Sequence, residues 1–141
     1  AIAGRHLSHL AGATEKTAFL VVRHGEEAVT IEVVEPLATA AHVSYRPGLR
    51  HPVDRGAPGI ALLSGEAPRS GERREVTLAR TRGWASSDGE VIDGFRAVAA
   101  PVIDPTGACR GALALVFAGD VDAAPLAGHV MAEAHALGEG I

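Results

Sequence analysis

Cysteine occurs once in the 141 residues, at Cys109. That rules out an internal disulfide and fits a reducing, cytoplasmic compartment. Aromatic residues are nearly as scarce. Phe19, Tyr45, Trp84, Phe95 and Phe117 are the only five, so a core has to be built from Ala, Val, Leu and Ile. No apolar run approaches the ~18 residues of a membrane span, and the opening Ala1-Ile2-Ala3-Gly4-Arg5-His6 has no signal-peptide pattern. Lysine is limited to Lys16, against twelve arginines that are scattered rather than striped along one helix. With a net charge of −4, the electrostatic footprint of DNA binding is missing. What the chain has in quantity is aliphatic residue. At 47% hydrophobic it can build one core, and its length suits one domain over 1–141.

The pattern along the chain is helix, strands, helices, strands, helix. Gly4 to Thr14 reads as a helix with Leu7, Leu10 and Ala11 on one side. Thr17 to Arg23 and Ala28 to Val34 read as strands around a His24–Glu27 hairpin loop. In the second strand Val29, Ile31 and Val33 are expected on one face, Thr30 and Glu32 on the other. A short strand is predicted over Thr39 to Ser44, and a helix from about Gly56 to Leu63. Ser64 to Arg74 should be a loop, the least ordered stretch of the chain, leading into a short helix that reaches Arg82. Phe95 to Ile103 and Gly111 to Phe117 pair across the turn Asp104-Pro105-Thr106-Gly107. Ala124 to Leu137 closes as an amphipathic helix. Tight hairpins without a βαβ crossover predict an α+β domain, an antiparallel sheet flanked by α-helices.

Chemistry is sparse in this pattern. The seven histidines form no dense ligand cluster, and His6 and His9, three apart on a helix, read as surface residues, so no metal site is expected. No Gly-x-Ser-x-Gly elbow is present, and Cys109 lies in a turn without a partner motif. Asp88-Gly89-Glu90 is a turn signature rather than a catalytic acid pair. No catalytic residue and no cofactor is assigned. On the strand Gly111 to Phe117, Leu113, Leu115 and Phe117 share one face while Ala112, Ala114 and Val116 share the other. The small face leaves room either for a close-packed helix or for a ligand. Gly56 and Ala57 open a helix, and their N–H groups either form an outward-aimed anion site or belong to a tight helix start with Pro58 in the first turn. Ser87 either donates a hydroxyl or is an ordinary turn residue.

Arg82-Gly83-Trp84-Ala85-Ser86-Ser87-Asp88-Gly89-Glu90, then Gly94 to Val102 (GFRAVAAPV), then Asp104 to Gly107, resembles the C-terminal effector-binding domain of IclR-family transcriptional regulators. Gly48-Leu49-Arg50-His51-Pro52, Ala57, Gly59 and Ala61-Leu62-Leu63 form a second matching block, and Leu10-Ala11 through Gly25, with Glu35, a third. The resemblance implies a GAF-like sheet of about six antiparallel strands and self-association as a homodimer or homotetramer. It also implies a winged helix-turn-helix before residue 1, through which alone the protein would contact DNA. It places a small-molecule pocket at Gly56, Ala57, Ser87, Ala97, Ala114 and Val116. Because that wall is apolar, the expected effector is apolar or aromatic with at most one acid group. A GAF-like sensor joined to another output is the alternative reading, and a small hydrolase a distant one. The chain departs from the family at Asp54, where a His is common, at Pro58-Gly59-Ile60, where Gly-Lys is common, and in a shortened stretch over 64–81.

Overall fold

The computed structural model describes residues 2–37 and 46–141. Its elements in chain order are α1 (Ile2–Thr14), β1 (Thr17–His24), β2 (Glu27–Val34), β3 (Arg50–Pro52), α2 (Gly56–Ser64), α3 (Arg74–Arg82), β4 (Ala85–Asp88), β5 (Arg96–Ile103), β6 (Cys109–Phe117) and α4 (Ala123–Glu139). The six strands form one antiparallel sheet in the order β3-β2-β1-β6-β5-β4. Two local meanders, β1-β2-β3 and β4-β5-β6, are thus joined down the middle by β1 and β6. The fold is α+β, as the hairpin spacing predicts. The strand predicted over 39–44 lies outside the described residues.

Each face of the sheet carries its own apolar core, because alternate residues of a strand point to opposite sides. Leu113, Leu115, Val98 and Val102 meet Leu7, Leu10 and Ala11 of α1 and Leu126, Val130 and Leu137 of α4. On the other face Phe19, Ala99, Ala112 and Ala114 pack against Ala57, Ile60 and Ala61 of α2, with Val76 and Ala79 of α3 behind them. The large side of β6 therefore takes the two amphipathic helices. Its alanine side takes α2, which is buried along all nine residues.

Two departures from the sequence pattern have physical causes. The pairing of β1 with β2 shifts between Leu20/Val21, where Leu20 opposes Glu32 but Val21 opposes Thr30. Ile31 is the extra residue of that bulge and is 48% exposed. A single inserted residue inverts the alternation. Val33 joins the α2 core while Val29, two places before the bulge, points to the opposite face, so the two valines do not share a side. The second departure is the segment after α2. It is a loop, but Arg80 donates to the Leu63 and Glu66 carbonyls (3.1 and 3.2 Å) and pairs with Glu72 (2.6 Å), which fastens both of its ends. None of the described helices is long and apolar enough to cross a membrane.

Candidate functional site

Cross-strand register builds one row of the candidate site. Ser87 of β4 opposes Ala97 of β5, which opposes Val116 of β6. Together with Glu90, Val91, Ile92, Phe95 and Arg96 these three line a cavity between the sheet and the 89–95 turn. The space it offers is only about 10 Å³, roughly the room of one water. The adjacent row, Ala85-Ala99-Ala114-Phe19, runs beneath α2. Ala114 is fully buried there, so at this position the small side chain serves helix packing and does not line the cavity.

Gly56 and Ala57 stand at the cavity's edge through their N–H groups, and here the structure corrects the expectation of free donors. Gly56 N–H donates to Glu90 Oε1 (2.9 Å) and Ala57 N–H donates to Ser87 Oγ (2.8 Å). Pro58 has no N–H to offer. The reason lies at the preceding residue. Arg55 occupies the N-cap position with no side-chain bond to the helix, because it carries donors where a cap needs an acceptor. The acceptors are therefore recruited from the 85–90 segment. The sequence reading treats Glu90 only as part of a turn. An arginine at the N-cap of a buried helix is the signal that an outside acceptor is needed.

Glu90 is itself held in place. Arg73 donates through Nη1 to Oε1 (2.9 Å) and through Nη2 to Oε2 (3.3 Å), while also donating to the Asp54 carbonyl (2.8 Å) and pairing with Glu75. The guanidinium bonds outweigh partial burial and, with the Gly56 N–H, hold the Glu90 carboxyl below the usual carboxylate range. The paired carboxylates push Arg73 up in turn. Against the same turn lies the buried ring of His51. Its Cε1 is 3.7 Å from the point a Cβ on Gly56 would occupy. Nδ1 bonds the Pro52 carbonyl (2.9 Å), which sets the tautomer with the proton on Nδ1, and buried Nε2 has no hydrogen-bond partner. Burial pulls the imidazole below its ordinary value, against the opposing pull of the Pro52 and Arg55 carbonyls and Glu27.

Other features are chemically plainer. Cys109 is half-buried, its thiol pushed up by burial and directed to the Gly111 carbonyl (3.5 Å). His6 and His9, expected at the surface, both pair with Glu133 of α4, and His6 is half-buried against it. Among the described residues no group of three or more His, Cys, Asp or Glu could hold a metal ion. A wider hollow of about 780 Å³ lies among Asp88, Arg96, Asp120 and Asp122, but it is open to solvent and mainly polar.

No family model matches the sequence, and no curated protein matches it. Solved structures do match in fold. An IclR transcriptional regulator from Alicyclobacillus acidocaldarius superposes with a TM-score of 0.83 at 22% identity, over 97% of this chain and 65% of its own. The repressor BlcR of Agobacterium tumefaciens gives 0.81 at 25% identity, over 97% and 64%. An IclR homologue from Microbacterium hydrocarbonoxydans, solved in complex with 4-hydroxybenzoate, gives 0.83 at 18% identity, over 97% and 65%. The chain thus spans about two thirds of the length of these regulators. It carries the C-terminal fold of the IclR-family transcriptional regulators.

Proposed function

We propose that residues 1–141 are the effector-binding domain of a transcriptional regulator. A small, largely apolar molecule enters between the 89–95 turn and the β4–β6 face, and its presence is passed to a DNA-binding domain preceding residue 1. The observation that carries this reading is the convergence of Ser87, Ala97 and Val116 on one small cavity at the start of α2. An apolar wall with a few fixed polar groups is the usual make-up of a small-molecule site. The fold neighbour bound to 4-hydroxybenzoate supports a ligand of that size class.

At about 10 Å³ the cavity is too small for such a molecule, so binding requires Val91 to Phe95 to move outward while Glu90 keeps its bonds to Gly56 and Arg73. Gly89 and Gly94, both at positive φ, flank this stretch, and the Gly89 N–H donates to the Phe95 carbonyl (2.9 Å) at its base. The domain acts in a homodimer or homotetramer, and the ligand signals only by favouring one assembly geometry over another. With a net charge of −4, DNA contact falls to the preceding domain.

A thermal-shift panel tests the reading. Aromatic and alkyl compounds should raise the unfolding midpoint, and pyruvate-like acids should not. Ligand at a hundred times its dissociation constant adds about 2.7 kcal/mol, enough for a rise of ~5 °C or more in a domain of this size. A panel in which only two- and three-carbon acids shift the midpoint would refute the apolar site.

A further inference from the structure

We infer that this site selects an uncharged, hydroxyl-bearing apolar molecule, of the class of an alkyl phenol, over its carboxylate counterpart, and that Glu90 is the residue that decides it. The assignment rests on the effector site proposed above and concerns the head group of the ligand that site takes.

An acid entering a site at a helix start needs N–H groups that are free to receive it. At α2 none of the first three is free. The first N–H is bonded to Glu90, the second to Ser87, and the third does not exist because the residue is Pro58. The position an incoming carboxylate would take is already filled by one belonging to the chain. Displacing it would break its bonds to Gly56 and to both Nη atoms of Arg73, and Arg73 is further committed to Glu75 and the Asp54 carbonyl. An acid that left Glu90 in place would face a like charge across the cavity.

The polar atoms left at the cavity suit a hydroxyl. Glu90 lines it, and its Oε2 keeps acceptor capacity beyond the long 3.3 Å bond from Arg73. Ser87 Oγ accepts from Ala57, so its own proton can be donated to a ligand. A phenol donates to the first and accepts from the second, whereas a carboxylate can only accept. Around these atoms Val91, Ile92, Phe95, Ala97 and Val116 supply an apolar surround.

Calorimetric titration of the 141-residue protein near neutral pH with 4-ethylphenol, 4-ethylbenzoate and 4-ethylbenzylamine tests this. The phenol should bind at least about tenfold more tightly than the benzoate, as expected of a site built to pair with a donor, and more tightly than the cationic amine. In Glu90→Gln the amide oxygen still accepts from Gly56, but Arg73 loses one of its two anionic partners and the cavity loses its negative charge. The preference for phenol over benzoate should shrink to about threefold or reverse. Pro58→Ala, which restores one N–H to the helix start, should move the ratio the same way and keeps the question decidable if Glu90→Gln does not fold. Equal or tighter benzoate binding by the unaltered protein overturns the inference, as does a tighter amine. So does a phenol-to-benzoate ratio that neither folded variant changes. If no compound of the three binds the folded protein, the effector site falls and the head-group assignment with it. If phenol and benzoate bind equally, only the head-group assignment falls.

Discussion

Two glycines at the start of α2 carry different constraints. At Gly59 a Cβ would sit 2.2 Å from the Val53 carbonyl oxygen, a backbone atom that cannot step aside without moving the β3–α2 connection. At Gly56 the backbone is left-handed (φ +76), and a Cβ would meet the Val91 methyl at 2.6 Å. Left-handed geometry costs an L-residue about 1–2 kcal/mol, but a methyl at a side-chain end can turn away. Gly59→Ala should therefore be the more destabilising of the two, by about 1–3 kcal/mol in its own right, a fall of roughly 3 °C or more in midpoint. Thermal melts of both variants check this, and a milder Gly59→Ala would mean that the β3–α2 connection yields. The glycines themselves are legible in the sequence as a helix start. What occupies the N–H groups is not, because Ser87 and Glu90 lie 30 and 34 positions away and local pattern carries no information about such pairs. Only the missing acceptor at Arg55 hints at them.

Among the elements, the long strands, α1 and α4 follow from periodicity and α2 from the Pro47-Gly48 break that precedes it, whereas the short strands do not. β3 has three residues ending in Pro52, and β4 is Ala-Ser-Ser-Asp, whose composition reads as a turn. Both exist because a meander offers them an edge to pair with, a tertiary cause that overrides weak local preference. The bulge at Ile31 is likewise set by the partner strand, since its register must match Leu20 on one side and Thr30 against Val21 on the other. The alanine face of β6 was open to two meanings from sequence alone, and the structure divides it between them by row. Ala114 sits beneath α2, while Val116, two residues on, lines the cavity. Enlarging Ala114 should then be costly, whereas trimming a half-exposed side chain elsewhere on the same layer should not. Ala114→Leu forces extra methylene groups under a helix that is buried on every side and should cost about 1–3 kcal/mol. Leu78→Ala, on the half-exposed outer side of α3, should stay within about 0.5 kcal/mol. Denaturant unfolding of the two variants measures the contrast. An Ala114→Leu protein as stable as the parent would show unfilled space beneath α2.

For the molecule as a whole, the sheet separates two cores whose polar fastenings differ. On the α1–α4 side Glu133 collects His6 and His9. Burial raises its carboxyl, the two histidine bonds lower it, and the net shift is downward. On the α2–α3 side Glu72 is held down at about 2 by Arg80, the Arg69 N–H and Thr77, and Glu90 is lowered by Arg73. A carboxylate lowered by folding contributes stability above its ordinary value near 4.5, and that contribution is lost as the pH falls through the folded value. His51 works through the opposite charge change but in the same direction. Burial keeps it neutral in the folded chain, so below its ordinary value near 6.5 the unfolded chain takes up the proton first and stability declines. The unfolding midpoint should therefore fall in two stages on acidification, the first beginning below about 6.5 and the second between about 4.5 and about 2. Glu27 is the charged neighbour that bears on the first stage, and with the Pro52 and Arg55 carbonyls it favours the imidazolium and so softens the decline. His51→Gln should remove the first stage and leave the second, because Gln keeps a side-chain donor for the Pro52 carbonyl without titrating. Melts recorded across this range decide the point. A parent protein whose midpoint is flat from neutral pH to the onset of the carboxylate stage, or a His51→Gln variant that retains the early decline, would place the proton uptake elsewhere.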